Sequence, residues 1–389
     1  MEIMVTPENH HFTLATSPRN FALVRSGYAD QNGKKYFLIM HFKLLENTFL
    51  QQISSQFRRS PDQVNQLLES DAELLRLPDG SVLAVTTDCI AEEIATGLYS
   101  DPEHIGWMTV VVNLSDLAAV GAKPLGLLLS ESLPPDFSEE KLRAVQGGIA
   151  AACAATGVFV LGGDTNDSKD WQMGGTAVGL IPVGEPIITR KGAAAGDVLY
   201  GSGPMGLGSA YAFSVLLSGG AQSVLYQPIP RLKEGALVRH FGSACIDTSD
   251  GFFHGLSNLL EVNPIGFQID IPLSTMTHPA ALGISQAKQI PAWIFLTGPH
   301  GEFELLFTIP PKNEKRFLEE AEKLNWKPLR IGVCTEVEAC TARISSGGFM
   351  PLDPLKIANT YVESGGDPQI FLTKLLTLEA SWQIQKQNG

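Results

Sequence analysis

The chain has 389 residues, of which 44% are hydrophobic and 18% charged. At roughly 100–200 residues per domain it should hold two or three domains with apolar cores, and it carries too little charge to be a disordered chain. Its 28 basic and 41 acidic side chains leave a net charge of −13, which excludes a general nucleic-acid binder and argues, at first sight, against phosphorylated small molecules as well.

No uninterrupted apolar stretch reaches the roughly 18 residues of a membrane span, so no membrane helix is expected. Residues 1–30 lack the apolar core of a secretory signal. The five cysteines form no CxxC or Cys/His zinc spacing, which fits a reduced, cytoplasmic compartment.

In chain order, residues 1–41 are polar without a sustained period and read as an N-terminal extension. A helix-like stretch opens the folded part near residue 42. Residues 81–87, apolar and β-branched, predict a strand; 105–122 predict a long helix stopped at Gly121 and Pro124; 125–133 predict a second strand. Ser138 is placed to cap a helix with Glu139 and Glu140 in its first turn and a stop at Gly157. Residues 158–163 and 176–183 are two more strands. The polar stretch Gly184–Gly196 is the best domain boundary.

A second set follows: strands at 197–203, 243–247, 267–271, 293–298 and 303–309, helices at 205–218, 250–261 and 311–324, and a terminal helix at 369–385. The expected division is therefore 42–186 and 187–350, both mixed α/β, with a tail at 351–389. The two halves do not match closely enough to be a repeat. The glycine-rich run Gly201–Gly208 could be a phosphate loop but is better read as a turn feeding a helix.

Chemistry is carried by short motifs, each ending in a carboxylate: Ser70-Asp71-Ala72, Thr86-Thr87-Asp88, Asn113-Leu114-Ser115-Asp116, Gly162-Gly163-Asp164-Thr165 and Asp247-Thr248-Ser249-Asp250-Gly251. Mg²⁺ takes oxygen ligands from carboxylates, phosphates and water, and small neighbours let the backbone approach. Any one of these aspartates alone would be read as a turn or helix cap. Asp116 is harder to dismiss, because it lies in an apolar helical run where a carboxylate needs a metal or a donor.

Taken together and in this order, the motifs resemble the thiamine-monophosphate kinases, members of the AIR synthase-related superfamily. The match runs over about residues 60–310, and the stretch from Asn113 to Pro124 is its most specific part. The resemblance implies an α/β, two-domain AIR synthase-like fold whose N-terminal sheet pairs with that of a second subunit in a homodimer. It implies ATP held with several Mg²⁺ ions in the cleft between the domains, and a phosphate monoester as acceptor. Carried over by position, Asp71, Thr86, Thr87, Asp88, Asp116, Asp164, Asp247 and Asp250 would be metal ligands, and Gly163, Asp164, Arg190 and Ser249 would touch ATP. Such transfer is positioning and charge neutralisation, and it needs no protein base.

The departures fall on the acceptor side. Ala95 stands where the family has a substrate-binding His, and Asp167 near the place of an Arg. The family's substrate-side Glu falls on Gly301, one residue from Glu302. Phe349 either replaces an aromatic at the acceptor ring or packs in the core. Two alternatives to the kinase stay open: a paralogue that uses ATP on a different acceptor, and a non-catalytic nucleotide-binding scaffold. Two superfamily relatives are less expected. Selenophosphate synthetase needs an early reactive Cys, and the first here is Cys89. The hydrogenase maturation factor needs a terminal Cys, and this sequence ends in Gly389.

Overall fold

The computed structural model describes residues 44–219, 224–344 and 347–388, with two short antiparallel strands, β1 (Gly27–Ala29) and β2 (Lys35–Phe37). The expected extension, residues 1–41, otherwise lies outside the described residues. Helix α1 (Leu45–Ser54) forms within the anticipated stretch.

The first sheet contains β3 (Glu73–Arg76), β4 (Val82–Cys89), β5 (Lys123–Leu133), β6 (Val160–Asp167) and β7 (Gln172–Ile181), in the order β3-β4-β7-β5-β6. A short helix α2 (Ala91–Ala95) follows β4, and helix α3 (Pro102–Ala119) leads into β5. All pairings are antiparallel except β5–β6, which is parallel and is bridged by the crossover helix α4 (Glu139–Thr156). Ser138 caps α4 by accepting from Lys141 N, and Gly157 ends it in the left-handed conformation.

Helix α3 is apolar on nearly every face because it is covered on nearly every face. It packs on α4 at glycine contacts: a Cβ on Gly106 would lie 2.0 Å from Val145 O, and one on Gly148 would lie 1.9 Å from Glu103 O. The other face of α3 meets the second half of the chain, so the polar residues near its C-terminal end arrive at the junction of the two sheets.

The second sheet contains β8 (Val198–Gly201), β9 (Ala244–Asp247), β10 (Gly266–Ile269), β11 (Leu305–Ile309), β12 (Leu329–Thr335), β13 (Cys340–Arg343) and β14 (Phe349–Leu352). Its order is β14-β13-β10-β12-β8-β11-β9. Around it lie α5 (Leu207–Ala212), α6 (Leu232–Phe241), α7 (Phe252–Val262), α8 (Pro279–Lys288), α9 (Pro311–Lys323), α10 (Pro354–Glu363) and α11 (Pro368–Asn388). The helix expected at 205–218 starts at Leu207 and closes in a π turn, Phe213–Leu217.

One expected strand is wrong. Residues 293–298 fall in a 3₁₀ turn, Ala292–Leu296, entered through Pro291. Trp293, Ile294, Phe295 and Leu296 are all buried, and a short continuous apolar run does not distinguish a strand from a buried helical turn by periodicity. The run Gly201–Gly208 is a structural turn: Ser202 Oγ bonds Glu304, and Gly203 lies against the same carboxylate.

Candidate functional site

Asp247 ends β9, the edge strand nearest α3. Ser115 Oγ on α3 donates to Asp247 Oδ2 at 2.5 Å, and Ser249 Oγ donates to Asp247 Oδ1 at 2.9 Å. One residue on, Asp116 accepts from the Thr86 hydroxyl of β4. Strand alternation puts Asp88 on the same face of β4 as Thr86. Asn113 accepts from the Asp88 backbone N–H at 3.0 Å, which fixes the end of the strand against α3.

Asp71, just before β3, takes a hydrogen bond from Arg190 Nη2 at 2.9 Å. The Arg190 backbone N–H donates to Glu69 O at 2.8 Å, and Lys191 Nζ bonds Glu69 Oε1 at 2.6 Å. These contacts join the segment after the first sheet to the loop before β3.

Oxygens of Asp71, Asp116 and Asp247 lie within 4.8 Å of one another. The Asp71 side chain is 1% exposed, and its Oδ2 is buried without a hydrogen-bond partner. Asp116 and Asp247 resist ionisation in this packing. Loss of hydration, then the charges of Asp88, Asp247 and Asp71, hold Asp116 well above the usual carboxylate range. Asp247 is pushed up to about 7 by burial and by Asp71. Asp88 is open to solvent on one side, yet partial desolvation between the cleft walls and the charges of Asp247 and Asp250 raise it to about 8. A hard divalent cation fits this donor set: it would satisfy the orphaned Asp71 oxygen and remove the mutual repulsion.

A second group adjoins the first. His254 Nδ1 lies 3.4 Å from Asp250 Oδ2, and His254 Nε2 lies 3.3 Å from Glu46 Oε2. Burial opposes the imidazolium, but Asp250 and Glu46 outweigh it, so the His254 pKa is raised. Glu46 reaches the site because α1 docks on α7 through the bond from Asn47 Nδ2 to Asn258 Oδ1, 2.8 Å. Sequence reasoning missed both residues. His254 was findable, one helical turn after Asp250; Glu46 was not, because only tertiary docking brings it there.

Other expected site residues lie elsewhere. Gly163 and Asp164 are exposed on β6, three strand positions from β4, and Asp164 accepts from Asn166 Nδ2 at 2.6 Å. Thr87 points to the face opposite Thr86, where its hydroxyl is bound to Gly175 O at 2.7 Å, so it is not brought to the carboxylates. Glu302 is 5% exposed and accepts from Gly206 N and Thr248 Oγ1, so it ties loops together instead of facing a ligand. Burial lifts its carboxyl to about 8. Phe349 is on β14, at the opposite edge of the sheet from Asp247, with Arg343 over its ring at 4.9 Å. Neither placement suits acceptor binding within one chain. Ala95 does line a cavity of about 370 Å³ next to the cleft.

Comparison with known proteins agrees with this architecture. Residues 69–181 match the family described as AIR synthase related protein, N-terminal domain. The chain is 32% identical over 252 residues to the thiamine-monophosphate kinase of Methanospirillum hungatei, covering 63% of this chain and 81% of the relative. It is 29% identical over 305 residues to that of Buchnera aphidicola from Acyrthosiphon pisum, covering 74% and 90%. Among solved structures, AaThiL complexed with AMPPCP and TMP superposes with a TM-score of 0.64 at 20% identity, covering 79% of this chain and 96% of that one, which is a likeness of fold. With a carboxylate cluster at the sheet junction, this fold and these relatives, the chain belongs to the thiamine-monophosphate kinase family of AIR synthase-related proteins.

Proposed function

We propose that the protein transfers the γ-phosphoryl group of ATP to thiamine monophosphate, giving thiamine diphosphate and ADP. The observation that carries this reading is the meeting of Asp71, Asp116 and Asp247 within 4.8 Å beside the partly exposed Arg190. Asp71, Asp88, Asp116, Asp247 and Asp250 are the residues that would hold Mg²⁺, with the Thr86 hydroxyl fixing Asp116. Bound there, Mg²⁺ supplies charge neutralisation for the polyphosphate. Arg190 and Ser249 stand at the rim to orient phosphate oxygens. The acceptor phosphate is already ionised near neutral pH, so the chain needs only to align it and exclude water.

In this reading residues 42–186 form the nucleotide and dimer domain and residues 187–350 the domain that closes on it. Gly163 and Asp164 lie on the free edge of β6, all of whose residues are exposed, as is Phe159 just before it at 73%. An exposed, partly apolar edge strand calls for a cover, and a second copy of the chain is the cover we assign. Five free thiols and an ATP substrate fit a cytoplasmic setting.

The test is ADP release with Mg²⁺ and thiamine monophosphate, compared with Asp116→Asn and Asp250→Asn. Loss of release in both variants is the expected outcome. ATP binding without turnover would favour a second reading, transfer to a different acceptor. Ala95 on the cavity wall and the inward-tied Glu302 are the observations behind that alternative.

A further inference from the structure

The cavity of about 370 Å³ and a smaller one of about 180 Å³ share Glu92, Thr297, Gly298, Pro299, His300 and Tyr361, so they form one groove. Its narrow end reaches Asp250 and His254. Its wide end is walled by Phe213, Leu216, Phe371 and Leu372. Phe213 and Leu216 belong to the π turn, an irregularity often found at functional sites. A pocket of this size, mostly apolar and with a few convergent polar groups, suits a small ring-bearing molecule.

Glu93 lines the narrow cavity, next to Glu92, which lines both. Its Oε2 is buried and has no hydrogen-bond partner. Its Oε1 lies 4.0 Å from His300 Nδ1, beyond hydrogen-bond reach. Burial lowers the His300 pKa to about 4, so the imidazole is neutral near pH 7 and supplies no counter-charge. A buried carboxylate oxygen without a donor is costly unless a ligand supplies one.

We propose that Glu93 is a specificity-determining residue of the acceptor groove, selecting a phosphomonoester whose ring body fills the apolar end and presents a cationic or N–H donor group to the Glu93 carboxylate. The phosphate end of such a molecule would point along the narrow cavity toward Asp250. His300 is a positioning residue that limits where the Glu93 carboxylate can turn. The proposal rests on the phosphotransferase reading for the identity of the phosphate end, and on the groove itself for the donor group.

The test is calorimetric titration of the full chain, loaded with Mg²⁺ and AMPPCP, using two probes. Thiamine monophosphate carries a permanent cation; 2-phenylethyl phosphate has a neutral ring. Glu93→Gln, close in shape, should weaken thiamine monophosphate binding at least about tenfold, toward that of the neutral probe, and Glu93→Asp should recover part of the loss. Neither variant should be less stable to heat than the wild type, and AMPPCP affinity should be unchanged in both. Equal affinity of wild type and Glu93→Gln for thiamine monophosphate, an equal loss for both probes, or no binding of thiamine monophosphate by the wild type would overturn the proposal. Failure of the kinase reading is a different result: thiamine monophosphate bound in a Glu93-dependent way, with no ADP released from ATP.

Discussion

Replacing Asp116 with Asn should stabilise the metal-free protein while removing its activity. The Asp116 carboxylate shares a 4.8 Å neighbourhood with Asp71 and Asp247. At an effective dielectric of about 20, two ionised groups at that separation repel by about 3.5 kcal/mol, so Asp116 alone accounts for about 7 kcal/mol if all three are charged. Proton uptake relieves most of this, because burial and mutual repulsion hold Asp116 and Asp247 above the usual range. A group whose folded-state pKa is raised binds its proton more tightly folded than unfolded. Its contribution to stability is therefore lost as pH rises above the ordinary carboxylate range. The gain from Asp116→Asn should be small near pH 5 and reach about 2 kcal/mol near pH 8, since the amide oxygen can still accept from Thr86. By the scaling for domains of 150–250 residues that is a rise in Tm of about 4–8 °C. Thermal unfolding in EDTA at the two pH values reads it directly. A variant less stable than wild type at both values, or one that still releases ADP at the wild-type rate, would refute the reasoning.

Three further outcomes follow from named contacts. Arg190→Ala leaves the Asp71 carboxylate, 1% exposed, without its cation, and should destabilise the metal-free protein by about 3–5 kcal/mol in urea unfolding, with added Mg²⁺ recovering part of the loss. Gly208→Ala puts a Cβ 2.0 Å from Gly301 O and 2.3 Å from His300 O, so the loop that carries His300 must shift. The expected cost exceeds about 2 kcal/mol, accompanied by weaker acceptor binding, and an alanine variant of unchanged stability would contradict the packing. Glu302→Gln should flatten the pH dependence of stability between 4.5 and about 8, because the buried carboxyl titrates near 8 when folded and near 4.5 when not; a profile identical to wild type would show that Glu302 is not held protonated.

Much of the fold was legible because its elements carry local signals. Ser138, Glu139 and Gly157 bracket α4 as capping chemistry requires. The apolar run of α3 is long enough to be a helix whatever its period. Strands β12 to β14, helices α6, α8 and α10, and the 3₁₀ turn at Ala292–Leu296 were missed or misread, because short mixed segments take their conformation from what they pack against. At the site the same division holds. The aspartates were visible as carboxylates beside Gly, Ser and Thr. What brings Asp71, Asp116 and Asp247 together is the crossing of α3 over the edge of the second sheet, which no spacing records. Thr86 and Thr87 illustrate the limit: adjacent in sequence, they face opposite sides of β4, and one bonds Asp116 while the other bonds Gly175 O. Glu46 and Glu93 had no motif at all. The net charge of −13 argues at first sight against phosphates, but the carboxylates gathered in one cleft are what a divalent cation needs to turn it into a polyphosphate site.

The most direct test is to incubate the protein with ATP, Mg²⁺ and thiamine monophosphate, then separate and quantify the thiamine phosphates. The account predicts thiamine diphosphate and ADP in equal amounts, with no product when Mg²⁺ is chelated or when Asp116 is replaced by Asn. Bound ATP with no thiamine diphosphate formed, or product formation that persists in Asp116→Asn, would contradict it.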